Sequence, residues 1–191
     1  FADPVSLRLR GRHRPGQAGT AAPAAADLLV RGVTACRDLV VGRPNPQGGR
    51  YQIEMLPTTC HVYFGSVIGA MPDGRHAGRP LSEGISPVQG ADRLGPTAVL
   101  KSASKMDHLK TGGTLLNMKF SPTLLTDDQG LRQLAHLVRS YFKLDGHHVQ
   151  FNVVRADTLR QAQADPDAHR DLIVRVAGYS DYFCDLSPEL Q

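Results

Sequence analysis

The stretch that decides the fold is Arg175-Val176-Ala177-Gly178-Tyr179-Ser180-Asp181-Tyr182-Phe183, near the C-terminal end of the chain. The apolar residues 172–174 precede it and predict a buried strand that runs into a turn at Gly178. Ser187 and Pro188 follow with the pattern of a helix start, a capping serine before a proline in the first helical position. A turn is the ordinary role of a glycine, so the flanking residues carry the argument for a special one.

The run RVAGYSDYF resembles the glycyl-radical signature of the glycyl radical enzymes, the family of pyruvate formate-lyase and the radical dehydratases. The resemblance implies that Gly178 stores an organic radical. It also implies that the neighbouring residues support the radical loop: Arg175, Val176, Ala177, Tyr179, Ser180, Tyr182 and Phe183. Arg175 is expected to fix the loop through a carboxylate or a carbonyl, and Tyr179 and Tyr182 to pack with satisfied hydroxyls.

Glycine suits this role because a radical on its Cα can flatten between the electron-donating amide nitrogen and the electron-withdrawing carbonyl. A Cβ would crowd the planar centre, and glycine also tolerates unusual backbone angles. A long-lived radical must be kept from water and oxygen. The apolar and aromatic neighbours of Gly178 are of the type that such shielding needs.

Composition narrows the class of protein. The chain has 191 residues, which is long enough for a hydrophobic core, and its sequence contains neither a transmembrane run nor a secretory segment. Its three cysteines are widely spaced, without a paired metal or disulfide pattern, which favours a reducing cytoplasm. The net charge of +4 comes from arginines in residues 1–50, while the rest is nearly neutral. We therefore expect neither nucleic acid nor membrane as a partner.

The chain divides into two parts. Residues 1–47 are divergent or linker-like, rich in Arg, Ala and Pro, with one short helix over residues 27–41. Residues 48–191 form the second part, in which strands alternate with helices, and this order predicts an α/β fold. The predicted elements are a strand within residues 50–69, a helix over 97–108, strands at 114–120 and 148–153, and a helix over 156–164. A further helix is capped by Thr126 with Gln129, and its apolar face carries Leu131, Leu134, Val138, Tyr141 and Phe142.

The likeness to glycyl radical enzymes extends from about Gly48 to Gln191. Its landmarks are DGR at 73–75, PLSEGISPVQGAD at 80–92, GPTAV at 95–99, GGTLLNMKF at 112–120, HHVQFNVV at 147–154 and ADTLRQAQADP at 156–166. The sequence is most similar to the glycerol, diol and hydroxyproline dehydratase branch, and above all to the hydroxyproline type. The resemblance implies the C-terminal part of a ten-stranded α/β barrel, two antiparallel half-sheets wrapped by helices, incomplete at its C-terminus.

The resemblance also implies partners. A radical S-adenosylmethionine activase with an iron–sulfur cluster would install the radical on Gly178, and no cofactor would be bound permanently. Gly178 would pass the radical to a cysteine, which abstracts hydrogen from a small-molecule substrate. A full-length enzyme of this kind would be a homodimer.

The chain departs from the family at the cysteine loop, where the dehydratases have a glutamate two residues after the cysteine. Cys36, Cys60 and Cys184 all lack that glutamate, so the thiyl cysteine is expected outside this chain. Three alternatives stay open: a formate C-acetyltransferase-like or decarboxylase member, a stand-alone glycyl-radical spare part, and an inactive remnant.

Few other residues suggest chemistry. Residues 56–59, which include Thr58 and Thr59, align with a substrate-facing stretch of the family, and Cys60 follows as a further candidate on the substrate side. A small buried apolar side chain is the more ordinary role for Cys60. Eight histidines are scattered without carboxylates at ligand spacing, and no metal site is predicted.

Overall fold

The structure is a computed structural model that describes residues 23–71 and 75–191, with the backbone alone for residues 23–28. The Arg-rich start over residues 1–22 and most of the DGR turn at 73–75 lie outside the described residues. None of the described helices combines the length and the apolar character needed to cross a bilayer.

Helices and short strands alternate along the described chain, which is a mixed α/β arrangement. The helices are α1 (Pro23–Val40), α2 (Cys60–Val67), α3 (Pro96–Ala103), α4 (Asp128–Lys143) and α5 (Ala156–Ala164). The strands are β1 (Asn117–Phe120), β2 (Gln150–Val153), β3 (Ile173–Arg175) and β4 (Ser180–Tyr182). Short 3₁₀ turns at His108–Lys110, Pro122–Leu125, Asp167–His169 and Phe183–Asp185 connect them.

The strands form two pairs. β1 and β2 are parallel, with Asn117 opposite Gln150 and Lys119 opposite Asn152, whereas β3 and β4 form an antiparallel hairpin with Arg175 opposite Ser180. Because side chains alternate between the faces of a strand, the two faces of the β1–β2 pair differ in character. One face carries the amides Asn117, Gln150 and Asn152, and the other carries apolar side chains such as Met118 and Phe151.

Two hydrophobic clusters lie under these elements. The larger joins α3, β1 and α4 and contains the buried residues Ile85, Val99, Leu100, Ala103, Met106, Leu116 and Tyr141. The smaller lies between α5 and the hairpin and contains Ala162, Val174 and Phe183. The hairpin therefore packs on its own small apolar cluster, and hydrogen bonds join it to side chains of β1 and β2.

Most of the predicted elements are present. Helix α5 has the predicted bounds, α1 and α3 overlap their predicted ranges, and β1 and β2 lie inside the predicted strands. The amphipathic pattern in α4 is also confirmed, since Tyr141 is completely buried and Leu134 and Val138 are half-buried. Leu131 and Phe142, predicted on the same face, are exposed.

The strand signal in residues 50–69 is wrong, because residues 60–67 form helix α2 and residues 50–59 contribute only isolated bridges at Arg50 and Met55. Aromatic and β-branched residues favour strands only as a weak preference, which tertiary contacts override. Here Gly65 packs against the backbone of Arg79, so closely that a Cβ on Gly65 would lie 2.4 Å from the Arg79 oxygen. Arg75 is buried and donates hydrogen bonds to the carbonyl oxygens of Gly65 and Ile68. The helical path is thus fixed by contacts distant in sequence.

Two predicted helix starts also differ from the structure. The N-cap of α4 is Asp127, whose side chain accepts a hydrogen bond of 2.7 Å from the Gly130 N–H, and not Thr126, which lies at the end of the preceding 3₁₀ turn. Asp127 is an equally good cap, and sequence alone does not choose between adjacent candidates. After Ser187, the chain makes a turn closed by the Leu190 N–H and the Ser187 oxygen, in place of a helix.

Candidate radical site

Gly178 lies in the tight turn of the β3–β4 hairpin. The Val176 N–H donates to the Tyr179 oxygen at 2.9 Å, which leaves Ala177 and Gly178 as the two residues of the loop. Gly178 has φ +77°, in the left-handed region that glycine adopts without a steric penalty. The position that a Cβ would occupy has no neighbouring atom within 4 Å. The backbone angle therefore calls for glycine while the space around its Cα stays open.

Arg175 contacts this loop through a carbonyl oxygen. One of its terminal nitrogens, Nη2, donates to the Gly178 oxygen at 2.9 Å, and Nη1 donates to the Ser180 hydroxyl at 3.3 Å. A guanidinium is a rigid fork, so two contacts on opposite sides of the turn hold the two strands at a set separation.

Gln150, at the start of β2, holds the same loop from the sheet. Its side-chain oxygen accepts from the Gly178 N–H at 3.1 Å and from Nε of Arg175 at 3.1 Å. Its amide nitrogen donates to the Val176 oxygen at 3.0 Å and to the side-chain oxygen of Asn117. Both donors and both lone pairs of the amide are thus in use, which fixes the orientation of this 6% exposed side chain.

Asn117 and Glu83 continue the hydrogen-bond chain that begins at Gln150. The Asn117 amide nitrogen donates to the Val176 oxygen at 2.9 Å and to a carboxylate oxygen of Glu83. Once ionised, the Glu83 carboxylate only accepts hydrogen bonds, so the NH₂ of Asn117 faces it and the oxygen of Asn117 faces Gln150. Burial raises the pKa of the Glu83 carboxyl to about 7, although the hydrogen bond from Asn117 opposes the shift.

Asn152 continues the polar face of β2 and replaces a missing strand pairing. Its side chain accepts from the Arg175 N–H and donates to the Arg175 oxygen, both at 2.8 Å. One amide side chain thereby satisfies both backbone groups of a residue that no strand pairs on that side. The hairpin is joined to the parallel strands by amide side chains rather than by a backbone ladder.

The aromatic neighbours of Gly178 shield it less than their residue types predict. Phe183 and Ala177 are buried and Val176 is half-buried, but Gly178 itself is exposed. Tyr179 and Tyr182 are 40% and 47% exposed, so the expectation that both are packed is wrong within this chain. The turn lies at the end of the hairpin, where β3 and β4 offer only one face to a core.

The candidate substrate-side residues lie elsewhere, at the start of α2. Thr58 has φ +54°, which is unusual for a residue with a branched Cβ. Cys60 is exposed, so its ordinary role as a small buried residue is wrong here, and its N–H donates to the Pro57 oxygen. Among the described residues, no hydrogen bond joins Thr58, Thr59 or Cys60 to the Gly178 hairpin.

The other cysteines and the buried His108 lie outside the Gly178 hairpin contacts, and their own contacts are ordinary ones. Cys184 packs beside the smaller cluster and its thiol donates to the His169 oxygen, while Cys36 is exposed. His108 is buried between Thr114 and the Ala103 oxygen, and burial lowers its pKa. Within residues 23–71 and 75–191, no three His, Cys, Asp or Glu side chains group as metal ligands would.

Comparison with known proteins fits this geometry. A family model described as "Glycine radical" matches residues 81–184, more than half of the chain, and the matched range includes Glu83, the polar face of β2 and the Gly178 turn. The chain belongs to the glycine radical family.

Among its relatives is trans-4-hydroxy-L-proline dehydratase of Clostridioides difficile, 58% identical over 152 residues, which cover 80% of this chain and 19% of the relative. Isethionate sulfite-lyase of Oleidesulfovibrio alaskensis is 44% identical over 170 residues, 87% of this chain and 20% of the relative. The glycerol-bound, B12-independent glycerol dehydratase of Clostridium butyricum superposes with a TM-score of 0.90 at 42% identity, over 97% of this chain and 23% of that protein. The chain spans about a fifth of the length of these curated relatives.

These comparisons confirm the glycyl radical resemblance and its closeness to the dehydratase branch. Sequence reasoning nevertheless missed Glu83, Asn117, Gln150 and Asn152, whose side chains form the polar support of the β3–β4 hairpin. They lie inside the landmarks SEGISPVQGAD, GGTLLNMKF and HHVQFNVV, which show the family resemblance but not the role of each residue. The available signal was the alternation in β2, because Gln150 and Asn152 share a face and amides on a half-buried face require partners.

Proposed function

We propose that this chain is the C-terminal part of a glycyl radical lyase, a dehydratase that acts on a small hydroxylated substrate and stores its radical on Gly178. The observation that carries the proposal is the Gly178 turn: a left-handed glycine within the range matched by the glycine radical family, with hydrogen bonds at its N–H and its carbonyl and free space at its Cα. Arg175, Val176, Ala177, Tyr179, Ser180, Tyr182 and Phe183 support that turn.

The substrate class follows from likeness. The relative at 58% identity is named for trans-4-hydroxy-L-proline, and we propose a hydroxyproline-type substrate ahead of glycerol or a diol. Thr58, Thr59 and Cys60 are the candidate substrate-side residues, since strained backbone such as that of Thr58 persists where other contacts hold it in place. The substrate pocket would be completed by residues outside this chain.

The remaining parts of the proposal concern partners and setting. A radical S-adenosylmethionine activase supplies a carbon radical that takes one hydrogen atom from Gly178, and a cysteine outside this chain returns a hydrogen atom to it. The complete enzyme is a homodimer in the cytoplasm, and this chain contributes to a ten-stranded barrel of two antiparallel half-sheets. The barrel also supplies the cover that Gly178 lacks here.

Oxygen provides the first test. After activation of the full-length protein, brief exposure to air should cleave the backbone next to Gly178, and mass spectrometry should find the corresponding C-terminal peptide. Unactivated protein exposed to the same air is the control and should keep its intact mass. An intact mass for activated protein would contradict radical storage at Gly178.

Substrate assays test the reaction class. Activated protein is supplied separately with trans-4-hydroxyproline, glycerol, 1,2-propanediol, isethionate, and pyruvate with coenzyme A. Dehydration of hydroxyproline supports the proposal. If pyruvate with coenzyme A were the one substrate converted, the formate C-acetyltransferase-like alternative would be favoured. Activity that appears only after the chain is mixed with a damaged partner enzyme would favour the spare-part alternative.

A further inference from the structure

The hydrogen bonds around Gly178 converge on one side chain. The oxygen of Gln150 accepts from the Gly178 N–H and from Nε of Arg175, and Nη2 of the same arginine donates to the Gly178 oxygen. The three groups therefore close a ring that spans the Gly178 Cα. The nitrogen on one side of that carbon and the carbonyl on the other are hydrogen-bonded at the same time.

We propose that Gln150 is a positioning residue for radical storage, which holds the Gly178 N–H and the Arg175 guanidinium with one oxygen and so polarises both neighbours of the radical carbon. This inference rests on the proposed storage of the radical at Gly178. It assigns to Gln150, a residue in β2 and 28 positions away in sequence, a role in the electronic structure of the radical.

The physical reason is the way in which such a radical is stabilised. The amide nitrogen gives electron density to the half-filled orbital and the carbonyl withdraws it. An acceptor on the N–H makes the nitrogen a better donor, and a cationic donor on the carbonyl makes that group more withdrawing. Hydrogen bonds to charged groups are the stronger kind, and linked hydrogen bonds polarise each other.

Asn117 and Glu83 set the direction in which Gln150 acts. A reversed Gln150 amide would place its NH₂ against the Gly178 N–H and the Arg175 guanidinium, and its oxygen against the Val176 and Asn117 oxygens. The Asn117 oxygen faces Gln150 because the Asn117 NH₂ is directed to Glu83. The orientation thus passes from a carboxylate through two amides to the radical residue.

The test compares two variants of the full-length protein that each replace an amide with an apolar side chain of similar size. Gln150→Met removes the acceptor at Gly178. Asn152→Leu is the matched control, because it removes two hydrogen bonds to the hairpin backbone at Arg175 but none at Gly178. After anaerobic activation, electron–nuclear double resonance with ¹⁵N-labelled protein in D₂O measures the couplings of the Gly178 nitrogen and its exchangeable deuteron, per spin.

We expect Gln150→Met to shift both couplings and to shorten the anaerobic lifetime of the radical by about two- to tenfold, the range that one lost hydrogen bond corresponds to. Asn152→Leu should lower the radical yield, while its couplings coincide with those of the wild type. Asn117→Leu should shift the couplings in the same direction as Gln150→Met, by a smaller amount.

Three outcomes overturn the inference. If the wild type forms no radical, the proposed function fails as well. If the wild type forms the radical and the couplings of Gln150→Met coincide with it, the inference alone fails. If Gln150→Met accumulates no radical, Gln150→Glu decides, since a glutamate keeps an acceptor for the Gly178 N–H. A radical in that variant supports the inference, and no radical in either variant overturns it.

Discussion

The cluster around Leu116 and the hairpin around Gly178 are stabilised in different ways. Leu116 is completely buried among apolar side chains from α3 and α4, and its neighbours hold one another by packing. Gly178 is exposed at the end of a hairpin whose polar side is fixed by Arg175, Gln150 and Asn152. Packing is tolerant of detail, whereas a hydrogen bond requires a specific atom in a specific direction. The Gly178 turn is therefore held by directed contacts.

The largest expected effect is at Gly178 itself. Gly178→Ala should abolish the radical completely, because a Cβ hinders the flat Cα centre, and should cost about 1–2 kcal/mol of stability from the left-handed backbone. Gly90→Ala is the matched control, since Gly90 has the same φ of +77° and nothing near its Cβ position. Electron paramagnetic resonance and thermal unfolding measure the two effects. A radical of wild-type yield in Gly178→Ala would contradict the assignment.

The next effect tests the packed region. Leu116→Ala leaves a cavity in the larger cluster, and we expect a loss of about 3–5 kcal/mol in the free energy of unfolding. The volume-conserving Leu116→Met should cost less than about 1.5 kcal/mol. Denaturant titration measures both. If Leu116→Ala stayed folded at low temperature but changed the radical couplings per spin, the claim that the packed cluster and the hairpin are stabilised independently would be wrong.

A smaller loss of stability is expected from the amide bridge between β2 and β3. Asn152→Leu removes two hydrogen bonds of 2.8 Å to Arg175 and leaves both of its backbone groups unsatisfied, a cost of about 1–3 kcal/mol. Hydrogen exchange should show faster exchange of the Arg175 amide, with little change in β1. Uniformly faster exchange throughout the chain would mean that the bridge supports the whole fold and not the hairpin.

The last effect concerns pH. Burial raises the pKa of Glu83 from 4.5 to about 7, so the folded state binds this proton more tightly than the unfolded state. Between these two values the unfolded state loses its proton first, and the contribution of Glu83 to stability therefore falls as pH rises and levels off above about pH 7. Relative to Glu83→Gln, the wild type should become less stable over this interval. Parallel stability curves for the two proteins from pH 4.5 to 8 would refute the shift.

The sequence predicted the packed elements better than the site. The 3.6-residue pattern of α4 and the bounds of α5 follow from local composition, and each has an apolar side that must be covered. Helix α2 did not follow, because its path depends on Arg75 and on the close approach of Gly65 to residues 79–80.

Gly178 was found through the motif, because the glycine radical signature is a local run of residues. Its supports were not found, because Glu83, Asn117 and Gln150 come from three segments between 28 and 95 positions away in sequence. Single polar residues in strands have many roles, and only the fold shows that these converge on one turn. Alternation in β2 shows that Gln150 and Asn152 share a face, but it does not show which residues they contact.

The most direct test of the account is the electron paramagnetic resonance spectrum of the full-length protein after anaerobic incubation with a radical activase and S-adenosylmethionine. We predict a doublet from the one remaining α-hydrogen of Gly178, which collapses when the glycine α-hydrogens are replaced by deuterium. A doublet that is unchanged by this replacement, or that persists in Gly178→Ala, would place the radical elsewhere and contradict the account.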